Sequence, residues 1–153
     1  NILSGNIKMN LGKFCNDAPD WPDIINQFKG SILQDYFSQL SQKKIKIILK
    51  PQEITAIPKH VQGSVESILK KITVPERFEQ ITKSLSLESI LDRDISVLSG
   101  GELQRVAIAA ALLREGNCYF IDEPTSYLDI SQRLNMARLI RSLVTNDVRM
   151  IVV

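Results

Sequence analysis

The chain has 153 residues, 44% of them hydrophobic and 24% charged, with a formal net charge of +2, enough for one domain with a real core. So balanced a charge does not by itself point to nucleic acid, a membrane surface or an acidic tail, and the longest apolar run, Val106 to Leu113, falls far short of the roughly 20 residues that span a bilayer. The two cysteines, Cys15 and Cys118, form no C-x-x-C and alone hold neither a metal nor a cluster; Cys118 reads as a buried thiol in a reducing compartment, so a cytoplasmic location is expected.

In chain order, Asn1 to Gly12 reads as the last turn of a helix capped at Gly5, followed by a short extended piece. Lys13 to Trp21 is polar and holds Pro19, hence a loop. Pro22 to Phe28 begins with proline at a first helical position, and Lys29-Gly30 breaks it. Ser31 to Leu40 restarts with an S-x-x-Q capping pattern and an apolar stripe at Ile32, Leu33, Tyr36, Phe37 and Leu40. Lys44 to Leu49 is short and β-branched, a strand ended by Lys50-Pro51-Gln52. From Gly63 to Ile95 the periodicity is helical in three pieces, SVESILKKI, RFEQITKSLSL and LESILDRD. A helix over 100–115 closes at Gly116, and Cys118 to Ile121 is a continuous apolar run, the mark of a strand covered on both faces. Asp129 to Val144 is a helix opened by Asp129 and Gln132 at capping-box spacing, with Leu134, Ala137, Ile140, Leu143 and Val144 on one side. Met150 to Val153 is a last strand. Strands separated by helices predict a parallel α/β sheet, with 118–121 between 44–49 and 150–153. The chain starts without methionine and stops inside an apolar strand, which reads as part of something longer.

Two stretches carry chemistry. In VLSGGELQR, Ser99 and Glu102 stand three apart, so Ser99 is the expected N-cap and Gly100 the first helical residue. Two glycines there leave the helix's free N–H groups and dipole open to an anion, a phosphate above all; the plainer alternative is a small-residue turn packed tightly on a neighbour. In CYFIDEPTSYLD, Asp122 and Glu123 sit at the C-terminal end of a buried strand, where open α/β sheets gather their ligands. Asp122 there suits Mg²⁺, directly or through water. Glu123 is placed to orient or deprotonate a water attacking a phosphoryl group.

Together these stretches resemble the nucleotide-binding domain of the ATP-binding-cassette superfamily, an α/β, P-loop NTPase-like parallel sheet with a helical subdomain. LSGGELQR resembles its signature loop, CYFIDE its Walker B strand, SYLD at Ser126–Asp129 its D-loop, and Gln52 its Q-loop glutamine. The resemblance implies ATP and Mg²⁺, with Glu123 catalytic, Asp122 and Gln52 at the metal, and Gln52, Ser99, Gly100, Gly101, Glu102 and Asp129 at the nucleotide. In that family two domains face each other, each ATP lying between the P-loop of one and the signature loop of the other. Glu123 would then serve the ATP of its own domain and Ser99 that of the opposite one.

The segments ILSGNIKMNLG, WPDIINQFKGSILQDYF and KPQEITAIPKHVQGSV, with the tyrosine of SYLD, are similar to the first ATPase half of the RNase L inhibitor family, class E, ribosome-recycling twin ATPases. This implies a helix–loop–helix insertion at 13–43, a helical subdomain at 61–97 and the signature, Walker B and D-loop block at 98–153. It also implies contact with rRNA of the small ribosomal subunit through Lys29 and Ser31, with Lys43 and Lys44 beyond, and release or initiation factors and a second nucleotide-binding domain of the same chain as partners. No membrane is implied, and iron–sulfur clusters are expected only in a domain lying outside this sequence.

The sequence departs from the family pattern in holding no G-x-x-x-x-G-K-[ST]: Ile7 stands five before Gly12, and Phe14 follows Lys13. The P-loop is expected before Asn1 and a switch histidine after Val153, which His60 is wrongly placed to replace. By itself the chain is therefore expected not to hydrolyse ATP. Alternatives are a transporter ATPase, a chromosome- or repair-type ATPase, against which the lack of heptads counts, and a non-catalytic module of the same fold, against which the intact Glu123 counts.

Overall fold

Trp21–Gln27 forms helix α1 and Ile32–Ser41 helix α2 in the computed structural model, which describes residues 19–73 and 75–153. The expected helix tail at Gly5, Gly12-Lys13 and Cys15 lie outside the described residues. Trp21, not Pro22, opens α1, because Asp20 is the extended N-cap and proline takes the second helical position. Gly30, at φ +81°, makes the reversal between the helices, a torsion that glycine adopts at no steric cost. The glutamine of S-x-x-Q reaches one residue further back than a capping box, Gln34 Oε1 accepting from the Gly30 N–H at 2.7 Å. The N–H and hydroxyl of Ser31 both donate to the Phe28 carbonyl, at 3.0 and 2.7 Å. Phe37 is the buried centre of this pair, with ring contacts to Trp21, Phe28 and Tyr36. Ile32, placed in the stripe by periodicity, is 89% exposed.

The chain divides into two compact units between Ile47 and Ile48. Strand β1 covers only Ile47–Leu49. It starts later than Lys44 because the chain is still leaving α2 there: Lys43 has φ +57° and the Lys44 N–H donates to the Gln39 carbonyl.

A 3-10 turn at Ile54–Ala56 leads into α3 (Ile57–His60), α4 (Val65–Lys70) and α5 (Pro75–Ser84). LESILDRD makes a 3-10 turn at Glu88–Ile90 where a helix was expected. Its later carbonyls are used elsewhere: Leu91 and Arg93 accept from the Glu66 and Val65 N–H groups at 2.9 and 3.0 Å. The free donors at the start of α4 are thereby satisfied by tertiary contact. A third 3-10 turn, Ile95–Val97, is capped by Asp94.

Helix α6 runs Gly100–Leu112 and stops short of Gly116. The reason is Tyr119, whose buried hydroxyl donates to the Arg114 carbonyl at 2.8 Å and accepts from the Gly116 N–H at 3.1 Å. Strand β2 (Cys118–Ile121), helix α7 (Ile130–Leu143) and strand β3 (Arg149–Val152) follow. The sheet order is β1-β2-β3, so β2 is central as its apolar run requires, and it pairs parallel with β3, Cys118 against Arg149 through Ile121 against Val152. Burial pushes the Cys118 thiol pKa up. On α7 the inward stripe is Met136, Leu139, Ile140 and Leu143, at helical spacing. Leu134, Ala137 and Val144 of the expected stripe are exposed. Leu69, Ile81, Leu87, Ile95, Ile108 and Leu112 are fully buried with Tyr119 and Ile121 in one core, each such aliphatic side chain contributing about 1.5–3 kcal/mol. No helix among the described residues is long and apolar enough to cross a membrane.

Candidate functional site

Strand β2 delivers Asp122 and Glu123 to its C-terminal end, and there the backbone departs from ordinary torsions. Glu123 has φ +44° and Tyr127 φ +64°, values that non-glycine residues rarely adopt and that cluster at functional turns. Ser126 closes the turn, its N–H donating to the Glu123 carbonyl at 3.3 Å and its hydroxyl to Glu123 Oε2 at 3.1 Å. A cleft of about 380 Å³ opens beside it, lined by Lys50, Gln52, Gln104, Glu123, Ser126 and Tyr127 among others. Gln52 and Glu123 are exposed and thus available to a ligand.

The start of α6 is the expected capping box in full. The Ser99 hydroxyl accepts from the Glu102 N–H, and Glu102 Oε2 accepts from the Ser99 N–H at 2.8 Å and its hydroxyl at 2.7 Å. These bonds, hydroxyl first, with Arg93 and Arg105 nearby, hold the Glu102 carboxyl below its usual range. The carboxylate of Glu102 is therefore committed to Ser99 and to Arg93, 3.3 Å away. Asp129 is committed likewise, accepting from the Gln132 N–H at 2.8 Å as the N-cap of α7.

The two glycines have different roles in packing. A Cβ on Gly101 would stand 2.8 Å from the Tyr127 carbonyl oxygen, a backbone atom that has little room to yield. A Cβ on Gly100 would meet the Tyr127 ring at 3.5 Å, an ordinary contact. So close packing on a neighbour does account for Gly101, and the neighbour is the 126–129 turn. Ser99 and Gly100 remain exposed. Ser99, Gly100, Gly101, Glu102 and Asp129 do not line the cleft that holds Gln52 and Glu123.

Among the described residues, no group of three or more His, Cys, Asp or Glu is placed to hold a metal. Mg²⁺ needs less from a protein, since it is bound through one or two carboxylates with water and phosphate oxygens completing its shell. Asp122 and Gln52 are oxygen donors of the kind Mg²⁺ takes, but only Gln52 lines the cleft and Asp122 does not. His60 is exposed on α3 and does not line the cleft.

Sequence reasoning gave no role to Lys50 or Gln104, and took Tyr127 only as a mark of the family. Lys50 Nζ donates to the Asp122 carbonyl at 2.8 Å, and Gln104 Nε2 donates to the Glu123 carbonyl at 2.7 Å. Burial lowers the Lys50 pKa, the Asp122 and Glu123 carboxylates partly opposing it. The available signal was polarity out of pattern: Gln104 falls among the buried Leu103, Ala107 and Ile108 on α6, and Lys50 ends an apolar strand.

Paired acidic residues ending a central parallel strand stand where open α/β sheets gather their ligands. A family model described as ABC transporter matches residues 2–126, and the chain belongs to that family. It is 51% identical over 142 residues to an uncharacterized ABC transporter ATP-binding protein of Methanocaldococcus jannaschii, covering 93% of this chain and 24% of the relative. It is 47% identical over 148 residues to the translation initiation factor RLI1 of Saccharomyces cerevisiae, covering 94% of this chain and 24% of the relative. Among solved structures it is similar to an RNase-L inhibitor, at 49% identity and a TM-score of 0.88, over 99% of this chain and 29% of that one. A complex of the archaeal ribosomal stalk protein aP1 with the archaeal ribosome recycling factor aABCE1 matches at 49% identity and a TM-score of 0.89, over the same shares. The chain thus spans about a quarter of the length of the curated relatives it matches.

Proposed function

We propose that this chain is part of the first ATP-binding cassette of a cytoplasmic, ribosome-recycling ATPase, in which ATP binding and hydrolysis drive the subunits apart. The observation that carries the reading is Glu123, an exposed carboxylate at the end of the central strand, in one cleft with Gln52. Similarity over nearly the whole chain to a ribosome recycling factor and a translation initiation factor supports this branch rather than a transporter ATPase. On this reading the helix pair α1–α2 is that branch's helix–loop–helix insertion.

On this reading Glu123 accepts the proton of the attacking water, its carboxylate steadied by the Ser126 hydroxyl. Asp122 and Gln52 hold Mg²⁺, which supplies positive charge to the phosphates. Ser99 and the Gly100 and Gly101 amides serve an ATP carried by a second nucleotide-binding domain of the same protein, with Glu102 fixing the helix start that presents them and Asp129 fixing the start of α7 in the adjoining turn. The P-loop comes from outside these 153 residues, so the isolated chain does not turn over ATP. In the helix pair, Lys29 is exposed at the Gly30 turn and meets rRNA phosphate. Ser31 assists there by holding the turn, since both of its donors already go to Phe28. Release or initiation factors complete the assembly, and iron–sulfur clusters belong to a separate domain, not to the buried Cys118.

The test is a pair of variants of the full-length protein, read by trapped-nucleotide counting and subunit splitting. Glu123→Gln retains ATP and favours the closed state, whereas Ser99→Arg prevents closure by filling the space of the γ-phosphate. Equal trapping by both variants at the same site would overturn the division of roles.

A further inference from the structure

Glu123 stands at φ +44° and precedes Pro124, a position that ordinarily holds a residue extended. Its own chemistry does not favour that torsion; its surroundings impose it. The torsions of Glu123 are the rotation between two peptide planes, 122–123 and 123–124. The first plane is held at both ends, its carbonyl by Lys50 Nζ at 2.8 Å and its N–H by the Val153 carbonyl at 2.8 Å. The second has no N–H, because proline follows. Its carbonyl is the one polar handle, taken by Gln104 Nε2 at 2.7 Å and by the Ser126 N–H at 3.3 Å. Lys50 is only 6% exposed and Gln104 1%, although both residue types are mostly found at the surface. Each is buried with its donor aimed at a carbonyl flanking the Glu123 α-carbon, one arriving from just past β1 and the other from α6.

The geometry points to Lys50 and Gln104 as a two-sided clamp, positioning residues that set the backbone angle of Glu123 and so aim its carboxylate into the cleft. The inference rests on the ATPase reading of Glu123. It also links two motifs physically, because Gln104 lies on the first turns of the helix that begins at Ser99. A shift of that helix start therefore pulls on the peptide that carries the proposed base.

The experiment uses Lys50→Met, Lys50→Arg and Gln104→Met in the full-length protein, read by steady-state kinetics and by hydrogen exchange without nucleotide. Both Met variants are expected to lower kcat about 10- to 100-fold while KM for MgATP moves by less than about threefold, the signature of a misaimed group rather than lost binding. Lys50→Arg, which keeps a cationic donor, is expected to recover part of the loss. The Glu123 and Ser126 amides are expected to exchange faster in both Met variants while the amides of α6 stay protected. Unchanged kcat in both Met variants, loss confined to KM, or unchanged exchange at Glu123 and Ser126 overturns the clamp. Should Lys50→Met fail to fold, seen as lost protection throughout α6, Gln104→Met and Lys50→Arg decide the matter alone. Wild-type turnover by Glu123→Gln would instead overturn the ATPase reading, leaving the exchange result to stand or fall separately.

Discussion

The start of α6 and the turn after β2 are neighbours that meet at Tyr127, yet they are held by opposite means. The start of α6 is built from its own sequence: Ser99 and Glu102 satisfy each other three residues apart, at ordinary torsions, in reach of solvent. The turn at 122–127, closed locally by Ser126, is held in place by distant residues. Two of its residues take left-handed torsions, and the donors that hold Asp122 and Glu123 come from Lys50, 72 positions away, and Gln104, 19 away. The lesson is about cost and purpose. A backbone strained by about 1–3 kcal/mol per residue persists only where the surroundings overdetermine it, and here that strain coincides with the proposed catalytic carboxylate.

The sharpest break of this comparison is Glu123→Gln. The amide keeps the shape of the side chain, so the turn should survive while hydrolysis falls by about 10²–10⁴-fold, the usual contribution of a general base. Single-turnover ATPase measurements on the full-length protein check it. A loss of fold instead of turnover would place Glu123 in the structure rather than in the chemistry.

Next in size is the contrast between the glycines. Gly101→Ala forces a Cβ to 2.8 Å from the Tyr127 carbonyl, and should destabilise by about 1–3 kcal/mol as the helix or the turn moves aside. Gly100→Ala meets only the edge of the Tyr127 ring, at 3.5 Å, and should be neutral or stabilising by up to about 1 kcal/mol. Denaturant titration of the two variants separates them. Equal effects would mean that the α6 start and the 126–129 turn do not share a tight contact.

These differences also explain what the sequence shows and what it hides. The central strand was legible because Cys118 to Ile121 is apolar without a break, and the α6 start because a capping box is a local code. The end of α6 was not, since the hydroxyl of Tyr119, beyond Gly116, stops the helix early. Nor was the turn at Glu88, whose fate depends on donors at Val65 and Glu66. In the candidate site, Asp122, Glu123 and Gln52 announced themselves by motif. Lys50 and Gln104 did not, because their function lies in carbonyls that become neighbours only on folding.

A smaller effect is expected from Ser99→Ala. Loss of an N-cap hydroxyl typically costs about 1 kcal/mol, and the Ser99 backbone N–H remains to hold Glu102. Thermal denaturation of the full-length variant checks this. A loss as large as that of Gly101→Ala would show that the α6 start depends on Ser99 beyond its local cap.

The smallest expected effect is the pH dependence of that cap. The Glu102 carboxyl is held below its usual 4.5, first by the Ser99 hydroxyl, then by the Ser99 N–H, with Arg93 and Arg105 adding to it. A carboxyl whose folded pKa is depressed contributes stability that is fully present above the unfolded value and lost as pH falls through the folded one. Glu102→Gln keeps an acceptor for Ser99 but does not titrate. The gap in Tm between wild type and Glu102→Gln should therefore be constant at neutral pH, shrink as pH drops below 4.5, and close in stronger acid. Asp94, also held low by Ser96 and Gly63, titrates in both proteins and cancels from the difference. The Arg93 contact is exposed and adds little, so raising the salt concentration should leave most of the gap in place. A gap that vanished with salt already at neutral pH would assign the stabilisation to the ion pair and remove the cap from the account.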